Sequence, residues 1–249
     1  MELERPVRLG WNMVRVAQSR TFKRPAVLIV RAVAESAVLD ISVPDEADHI
    51  VSVEGSNSLV VASMRGLQVL AQSGAWRYQR IPVSPLAKLL AFLESGIGGA
   101  SERHREPIAL VEESTELSAV RIETWMVERV IERDERIASL FDLIRTDETY
   151  GLVRFLLNER LKFKSVSELS RQYGVSESHF RRLCRKALGT SLKGELRRWR
   201  AADAVLGIIE GVESLTRLAV CSGYSSSAHL SKDVKDFLGF PPCKIRQGQ

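Results

Sequence analysis

Arg181, Arg182 and Arg185 follow Ser178 at spacings that place all four on one side of a helix, with no acid among them. A guanidinium presents a planar fork of N–H donors that matches phosphate oxygens and the acceptor edge of guanine, and a small hydroxyl fits between such groups. The chemistry that this set offers is recognition of an anionic polymer. A solvated helix in an ordinary bundle would show the same charge spacing, so the surrounding chain has to decide. Catalysis finds little support. His49, His104, His179 and His229 are scattered, there is no H-E-x-x-H or G-x-S-x-G, and the I-G-G-A glycines lack the lysine of a phosphate loop. No catalytic, cofactor-binding or metal-ligating residue is assigned. Cys184, Cys221 and Cys243 form an odd set without CxxC spacing, which implies neither a disulfide framework nor a zinc site; they are expected as buried thiols in a reducing cytoplasm.

The elements that must hold the arginines are legible around them. Ser165 with Glu168 is a capping box, and Val166, Leu169, Ser170 and Tyr173 supply the inward face of a short helix that ends at Gly174. Ser176 caps the next helix, whose Phe180, Leu183, Cys184 and Ala187 lie opposite the arginines. The grammar then repeats. Ser214 caps a helix, Gly223 supplies the turn, His229-Leu230 echoes His179-Phe180, and each unit closes on a glycine, Gly189 or Gly239. In the second copy Leu230, Val234, Phe237 and Leu238 make the expected buried stripe and leave Ser227, Ser231, Lys232 and Lys235 outside. Between the copies, Ser191 to Glu210 reads as one helix with a seam of Leu196, Trp199, Val205, Leu206 and Ile209. Roughly 18 residues at 1.5 Å each span about 27 Å, comparable to the ~34 Å of one DNA turn. Two reading heads on successive major-groove segments are the expected target.

These residues resemble the DNA-binding domain of the AraC/XylS family of bacterial transcription regulators. The resemblance covers both helix-turn-helix units, the linker L-R-R-W-R-A-A-D-A-V-L and the closing G-F-P-P-C-K-I-R, with Gly239, Pro242 and Arg246 in the family's places. Cys184 and Val234 stand where a phenylalanine is usual, Leu192 where a proline is usual, and Glu195 and Ile245 where an aromatic is usual. The wording H-F-R-R-L-C, E-L-R-x-W-R, G-Y-S-S and P-x-K is most similar to activators of type III secretion genes. The resemblance implies DNA contacts from Ser178, His179, Arg181, Arg182 and Arg185 in the first unit, and from Ser227, Ala228, Ser231, Lys232 and Lys235 in the second. It also implies RNA polymerase as a partner, a secretion chaperone as co-activator, and pairing of two copies through the N-terminal half.

Charge agrees with this division. The chain of 249 residues carries a formal net charge of +5. From Asp147 onward there are 18 Lys and Arg against 11 Asp and Glu, a net +7, which leaves −2 for residues 1–146. The start, M-E-L-E-R-P-V-R, lacks the apolar core of a secretory signal, and no apolar run approaches a membrane span, so a cytoplasmic protein is expected.

The expected fold class is α+β: an N-terminal regulatory domain over residues 1–146 and an all-α DNA-binding domain over 147–249. Residues 1–25 show no clear period and fit either a frayed arm or a first strand. From Ala26, the runs A-V-L-I-V-R, A-V-L-D-I-S-V, H-I-V-S-V, S-L-V-V-A-S, L-Q-V-L-A and W-R-Y-Q-R-I alternate with turn chemistry, the pattern of a small antiparallel sheet or barrel over about 26–82. Helices follow over about 85–145. One starts at Pro85 with Leu86, Leu89, Leu90 and Leu93 on a stripe. A second stripe runs from Thr115 to Arg133 with Leu117, Val120, Trp125, Val127, Val130 and Ile131, and a third from Arg136 to Arg145. The intervening G-I-G-G-A-S-E-R-H-R-E-P reads as a surface loop. A helix over Y-G-L-V-R-F-L-L-N-E-R-L is expected beneath the first reading unit. Two other readings stay open at this point: a small-molecule-gated regulator of metabolic genes, and a protein-binding adaptor that uses the helical domain.

Overall fold

The computed structural model describes residues 10–23, 25–97, 106–159, 165–212 and 214–247. It is an α+β protein. The chain divides into two compact units, 1–151 and 152–249.

In the first unit, the six apolar runs form β3 (Ala26–Ala32), β4 (Ser36–Ser42), β5 (His49–Glu54), β6 (Ser58–Ser63), β7 (Leu67–Ser73) and β8 (Trp76–Ile81). Among the described residues three strands lie beyond them. The stretch without clear period holds β1 (Asn12–Val14) and β2 (Ser19–Phe22), and β9 (Ile108–Glu113) follows the first helix. β9 is easily missed in the sequence because two glutamates end a four-residue apolar run; Glu113 is nevertheless buried, with its carboxylate accepting from Trp125 Nε1 at 2.8 Å.

The strands make two antiparallel sheets, β1-β8-β3-β6-β9 and β2-β7-β4-β5. One apolar core lies between them, built by alternate residues such as Leu28 and Val30 of β3, Leu39 and Ile41 of β4, Val69 of β7 and Trp76 of β8. The chain crosses from one sheet to the other between β1 and β2, where Ala17 N donates to Ala71 O at 3.0 Å. At the opposite end β5 and β9 are not paired with each other among the described residues. The arrangement is a sandwich joined along one side.

β3 is buried along its whole length. Toward β6 and β9 helices cover the outer face of the five-stranded sheet, whereas the Arg31 end of β3 lies outside that cover. The helices are α1 (Val83–Ile97), α2 (Ile122–Glu132) and α3 (Ala138–Arg145), the last preceded by a 3-10 turn over Glu135–Ile137. α1 starts ahead of Pro85, which falls within its first turn, and buries Leu86, Ala87, Leu90 and Ala91. The expected stripe from Thr115 is corrected. Helix begins only at Ile122, Val120 and Ile131 are 78% and 70% exposed, and the buried side is Ile122, Trp125 and Met126. The segment before Ile122 is instead held to the sheet by Ser58 and Gln79, whose side chains accept from Leu117 N and Ala119 N. Of the expected surface loop, residues 98–105 lie outside the described residues, and Gly96 and Ile97 belong to the last turn of α1.

α4 (Glu148–Glu159) contains the division between the units. Its first turn stays with the sheet unit for a polar reason. The Tyr150 hydroxyl donates to Glu94 at 2.5 Å, and Thr149 Oγ1 meets Ser84 Oγ at 3.1 Å. Glu94 also accepts from Arg145 Nη2 at 2.5 Å, and Asp142 pairs with the same guanidinium. Burial disfavours the Arg145 charge, but Glu94 and Asp142 outweigh it and hold the side chain protonated.

Candidate nucleic-acid interface

Among the described residues the second unit contains the rest of α4 and six helices: α5 (Val166–Tyr173), α6 (Glu177–Leu188), α7 (Leu192–Ile209), α8 (Leu215–Cys221), α9 (Ser227–Leu238) and α10 (Pro242–Gln247). Serines start five of them. Ser165, Ser176, Ser191, Ser214 and Ser226 each accept from the backbone N–H three residues on, satisfying one donor that a helix start leaves open. At Ser165 the box is complete, since Glu168 reaches back to the Ser165 N–H at 2.7 Å. α5 ends at Gly174 with φ 83°, a left-handed position that costs glycine nothing, and the chain turns directly into α6.

An aromatic trio fixes the first pair of helices. Phe155 of α4, Tyr173 of α5 and Phe180 of α6 stack mutually, with ring centres 5.1, 5.6 and 6.3 Å apart. With Phe180, Leu183, Cys184 and Ala187 buried, α6 must show the opposite side to solvent, and Ser178, Arg181, Arg182 and Arg185 are all exposed there.

Two of the three arginines are already oriented. Arg181 is held by Glu177 one turn earlier, at 3.0 Å from Nε and 2.6 Å from Nη2. Arg182 Nη2 lies 2.7 Å from His179 Nδ1. A guanidinium only donates, so Nδ1 must accept and the His179 proton sits on Nε2, where it is left as an outward donor. Arg185 has no ion pair among the described residues.

The second unit of recognition repeats the geometry with weaker chemistry. Its turn is one residue longer, because Ser226 rather than Ser225 is the cap; this places Ala228, Ser231, Lys232 and Lys235 opposite Ser178, Arg181, Arg182 and Arg185. Ala228, His229, Lys232 and Lys235 are exposed, while Ser227 and Ser231 are half-buried. The His229 Nδ1 is 3.2 Å from Ser225 Oγ. α6 carries four cations against Glu177, whereas α9 balances Lys232 and Lys235 with Asp233 and Asp236.

One residue at this face is invisible to motif reading. Arg197 of α7 reaches both acids of α9, at 2.7 Å from Asp233 and 2.6 Å from Asp236, and these partners raise its basicity further. In the sequence it is one of three arginines in L-R-R-W-R and gives no separate signal. Nearby, Tyr224 lies under the Arg200 guanidinium, 5.6 Å from its ring centre, and burial pushes its phenol up to about 12.

Two expected apolar faces are corrected here. Along α7, Leu206 and Ile209 are exposed, and the buried side is Leu192, Trp199, Ala201, Ala204, Gly207 and Ile208. The seam is built from small residues: a Cβ at Gly207 would stand 2.6 Å from Leu218 Cδ1, so α8 packs where a search for large apolar side chains finds nothing. On α9, Leu230 and Val234 are fully buried but Phe237 is 47% exposed, beside Arg197 and Asp236 at the groove between α7 and α9. The thiols also divide: Cys184 is buried, which pushes it up to about 11, whereas Cys221 and Cys243 are exposed. Among the described residues, no group of three or more His, Cys, Asp or Glu is placed to hold a metal ion, and no helix is long and apolar enough to cross a membrane.

Two capped helix-turn-helix units on one connecting helix, the first with a cationic outer face, define a double-headed DNA-binding regulator. Residues 169–248 match the family model of a helix-turn-helix domain. Invasion protein InvF of Salmonella typhi is 37% identical over 178 residues, 70% of this chain and 82% of its own. Transcriptional regulator MxiE of Shigella flexneri is 32% identical over 171 residues, 66% of this chain and 81% of its own. A solved structure of ToxT from Vibrio cholerae aligns with 96% of this chain and 97% of its own at 8% identity, with a TM-score of 0.37. The chain belongs to the AraC/XylS family of sequence-specific DNA-binding transcription regulators.

Proposed function

We propose that this regulator is a cytoplasmic activator of type III secretion genes, without enzymatic activity, that reads two successive major-groove segments with α6 and α9. The exposed Ser178-Arg181-Arg182-Arg185 face of α6 carries the reading, backed by a fully packed opposite face. Arg181 and Arg182 are the principal readers, flanked by Ser178 and Arg185, with the Nε2–H of His179 directed to a phosphate. Ser227, Ala228, His229, Ser231, Lys232 and Lys235 form the weaker second head, which favours phosphate contact over base reading because its side chains are short or neutralised nearby.

The length of α7, 18 residues or about 27 Å, suits two heads about one DNA turn apart on one face of the duplex. In this reading the bound activator meets RNA polymerase, pairs with a second copy through the N-terminal half, and is switched on by a secretion chaperone; the likeness to a transcriptional regulator and an invasion protein supports the regulatory part of that reading. Footprinting on the promoter of a secretion operon tests the DNA reading. Protection of two segments about a turn apart on one face is expected, and protection of one segment only would remove α9 from the reading. A reporter in a heterologous bacterium tests the switch, which fails if the protein alone activates fully and the chaperone adds nothing.

A further inference from the structure

The outer face of the five-stranded sheet bears a cationic cluster that DNA reading does not use. Arg31 and Arg77 are direct partners across β3 and β8, and Met13 is the partner of Arg77 across β1 and β8, so the three side chains stand in a row on the same face. Trp11, two residues before Met13, joins them, with its ring 4.8 Å from the Arg77 guanidinium carbon and 5.9 Å from that of Arg31.

Two cations side by side repel, and the described residues set a single carboxylate against them. Arg31 Nη2 donates to Glu116 at 2.6 Å and to Gly55 O at 3.3 Å. The Arg31 hydrogen bond and charge, with Arg77 adding a smaller part, lower the Glu116 pKa. Arg77 has no hydrogen bond or ion pair among the described residues, and the buried Nε atoms of both arginines lack acceptors. Arg31 is fixed in the sheet, whereas Glu116 is 72% exposed and is tethered through its neighbours: Ser58 Oγ donates to Thr115 O and accepts from Leu117 N. Beside the cluster two apolar side chains face solvent, Met13 at 61% and Val33, which continues the outward alternation of Arg31 past the end of β3.

We propose that this face is a docking site for an acidic, apolar-containing segment of a partner protein, with the Arg31 and Arg77 guanidiniums binding its carboxylates and Trp11, Met13 and Val33 its apolar side chains. Glu116 is the internal carboxylate that holds Arg31 until a partner carboxylate replaces it. The aromatic ring and exposed apolar flank select such a segment over a small inorganic anion, which would use the charges alone. The proposal draws on the protein co-activator reading only for the source of the segment.

The test uses the full chain and a fluorescein-labelled peptide of alternating glutamate and valine, followed by anisotropy, with a lysine–valine peptide as control. Binding of the acidic peptide alone is expected. Arg77→Gln should weaken it about tenfold, as loss of one close charge pair does. Glu116→Gln should strengthen it several-fold, because the competing charge is gone while an oxygen still faces Arg31. Absence of binding, equal binding of the lysine peptide, displacement by equimolar inorganic phosphate, or indifference to Arg77→Gln overturns the site. Should Arg77→Gln lose its native circular dichroism, Glu116→Gln decides alone, and no gain in affinity overturns the proposal. Promoter binding is measured on the same samples: its loss in the unmodified protein counts against the DNA reading and leaves the docking result standing.

Discussion

At α6, orientation distinguishes three arginines of the same type. Arg181 is tied to Glu177, Arg182 to His179, and Arg185 is free of ion pairs among the described residues. A base-reading arginine is expected to cost about 1 to 3 kcal/mol of promoter affinity when replaced by alanine and to relax specificity at one base pair, whereas a phosphate contact lowers all affinities and the salt slope by about one. Arg181→Ala and Arg182→Ala together should therefore weaken promoter binding strongly in a gel-shift titration; unchanged affinity removes both from the reading. The Arg197 contact makes a separate expectation. With Arg197→Met, Asp233 and Asp236 face the phosphates uncompensated, so DNA binding should fall several-fold, and Asp233→Asn with Asp236→Asn should restore it. Failure of that rescue, with folding intact by circular dichroism, means that Arg197 acts through packing instead. In the sheet unit, hydrogen bonds from Arg136 hold the Asp134 carboxyl at about 2 against a usual 3.8. A depressed folded pKa contributes stability above the unfolded value and loses it as pH falls through the folded one. Asp134→Asn should flatten the stability profile between about pH 4 and 2, read by urea denaturation of the full chain.

Among the elements, α7 decides whether two heads act as one reader. Its Trp199 is buried next to the small-residue seam, and Trp199→Ala is expected to destabilise the helical unit by about 3 to 5 kcal/mol in chemical denaturation. A much smaller loss would mean that the site collapses around the missing ring. α5 depends on its start more than on its length: a helix of eight residues is marginal by itself, and Ser165→Ala removes a two-way cap. That change should cost about 0.5 to 2 kcal/mol and lower promoter affinity only through stability, so that binding measured well below the melting temperature stays near normal. The sheet elements follow another logic. Nine strands among the described residues share one core between two sheets, and their polar closures, Glu113 with Trp125 and Glu94 with Arg145 and Tyr150, come from partners on other elements.

For the whole molecule, the division inside α4 bears on autonomy. Phe155 stacks with Tyr173 and Phe180, so a fragment from Asp147 onward keeps the aromatic trio and should fold alone, with helical circular dichroism and a cooperative melt. A soluble but unfolded fragment would show that the helical unit needs the sheet unit. Much of this architecture follows from local chemistry. The five serine caps, the glycine turns, the repeat and the six apolar strand runs are properties of neighbours within a few residues, where capping, backbone freedom and side-chain period act, and they determine two helix-turn-helix units with the arginines outside. Tertiary structure decided what depends on distant partners. It split the strands into two sheets, turned Ile108–Glu113 into a strand by giving Glu113 a buried donor, and moved the α7 seam onto Ala201, Ala204 and Gly207 because α8 packs there. Phe237 and Leu206 stayed exposed although they are large and apolar, since periodicity marks a face and only packing shows whether something covers it. The pairing of Arg197 with two acids of α9 and the meeting of Arg31 with Arg77 are contacts between residues more than thirty positions apart. Charge type is written in the chain; its partner is chosen by the fold.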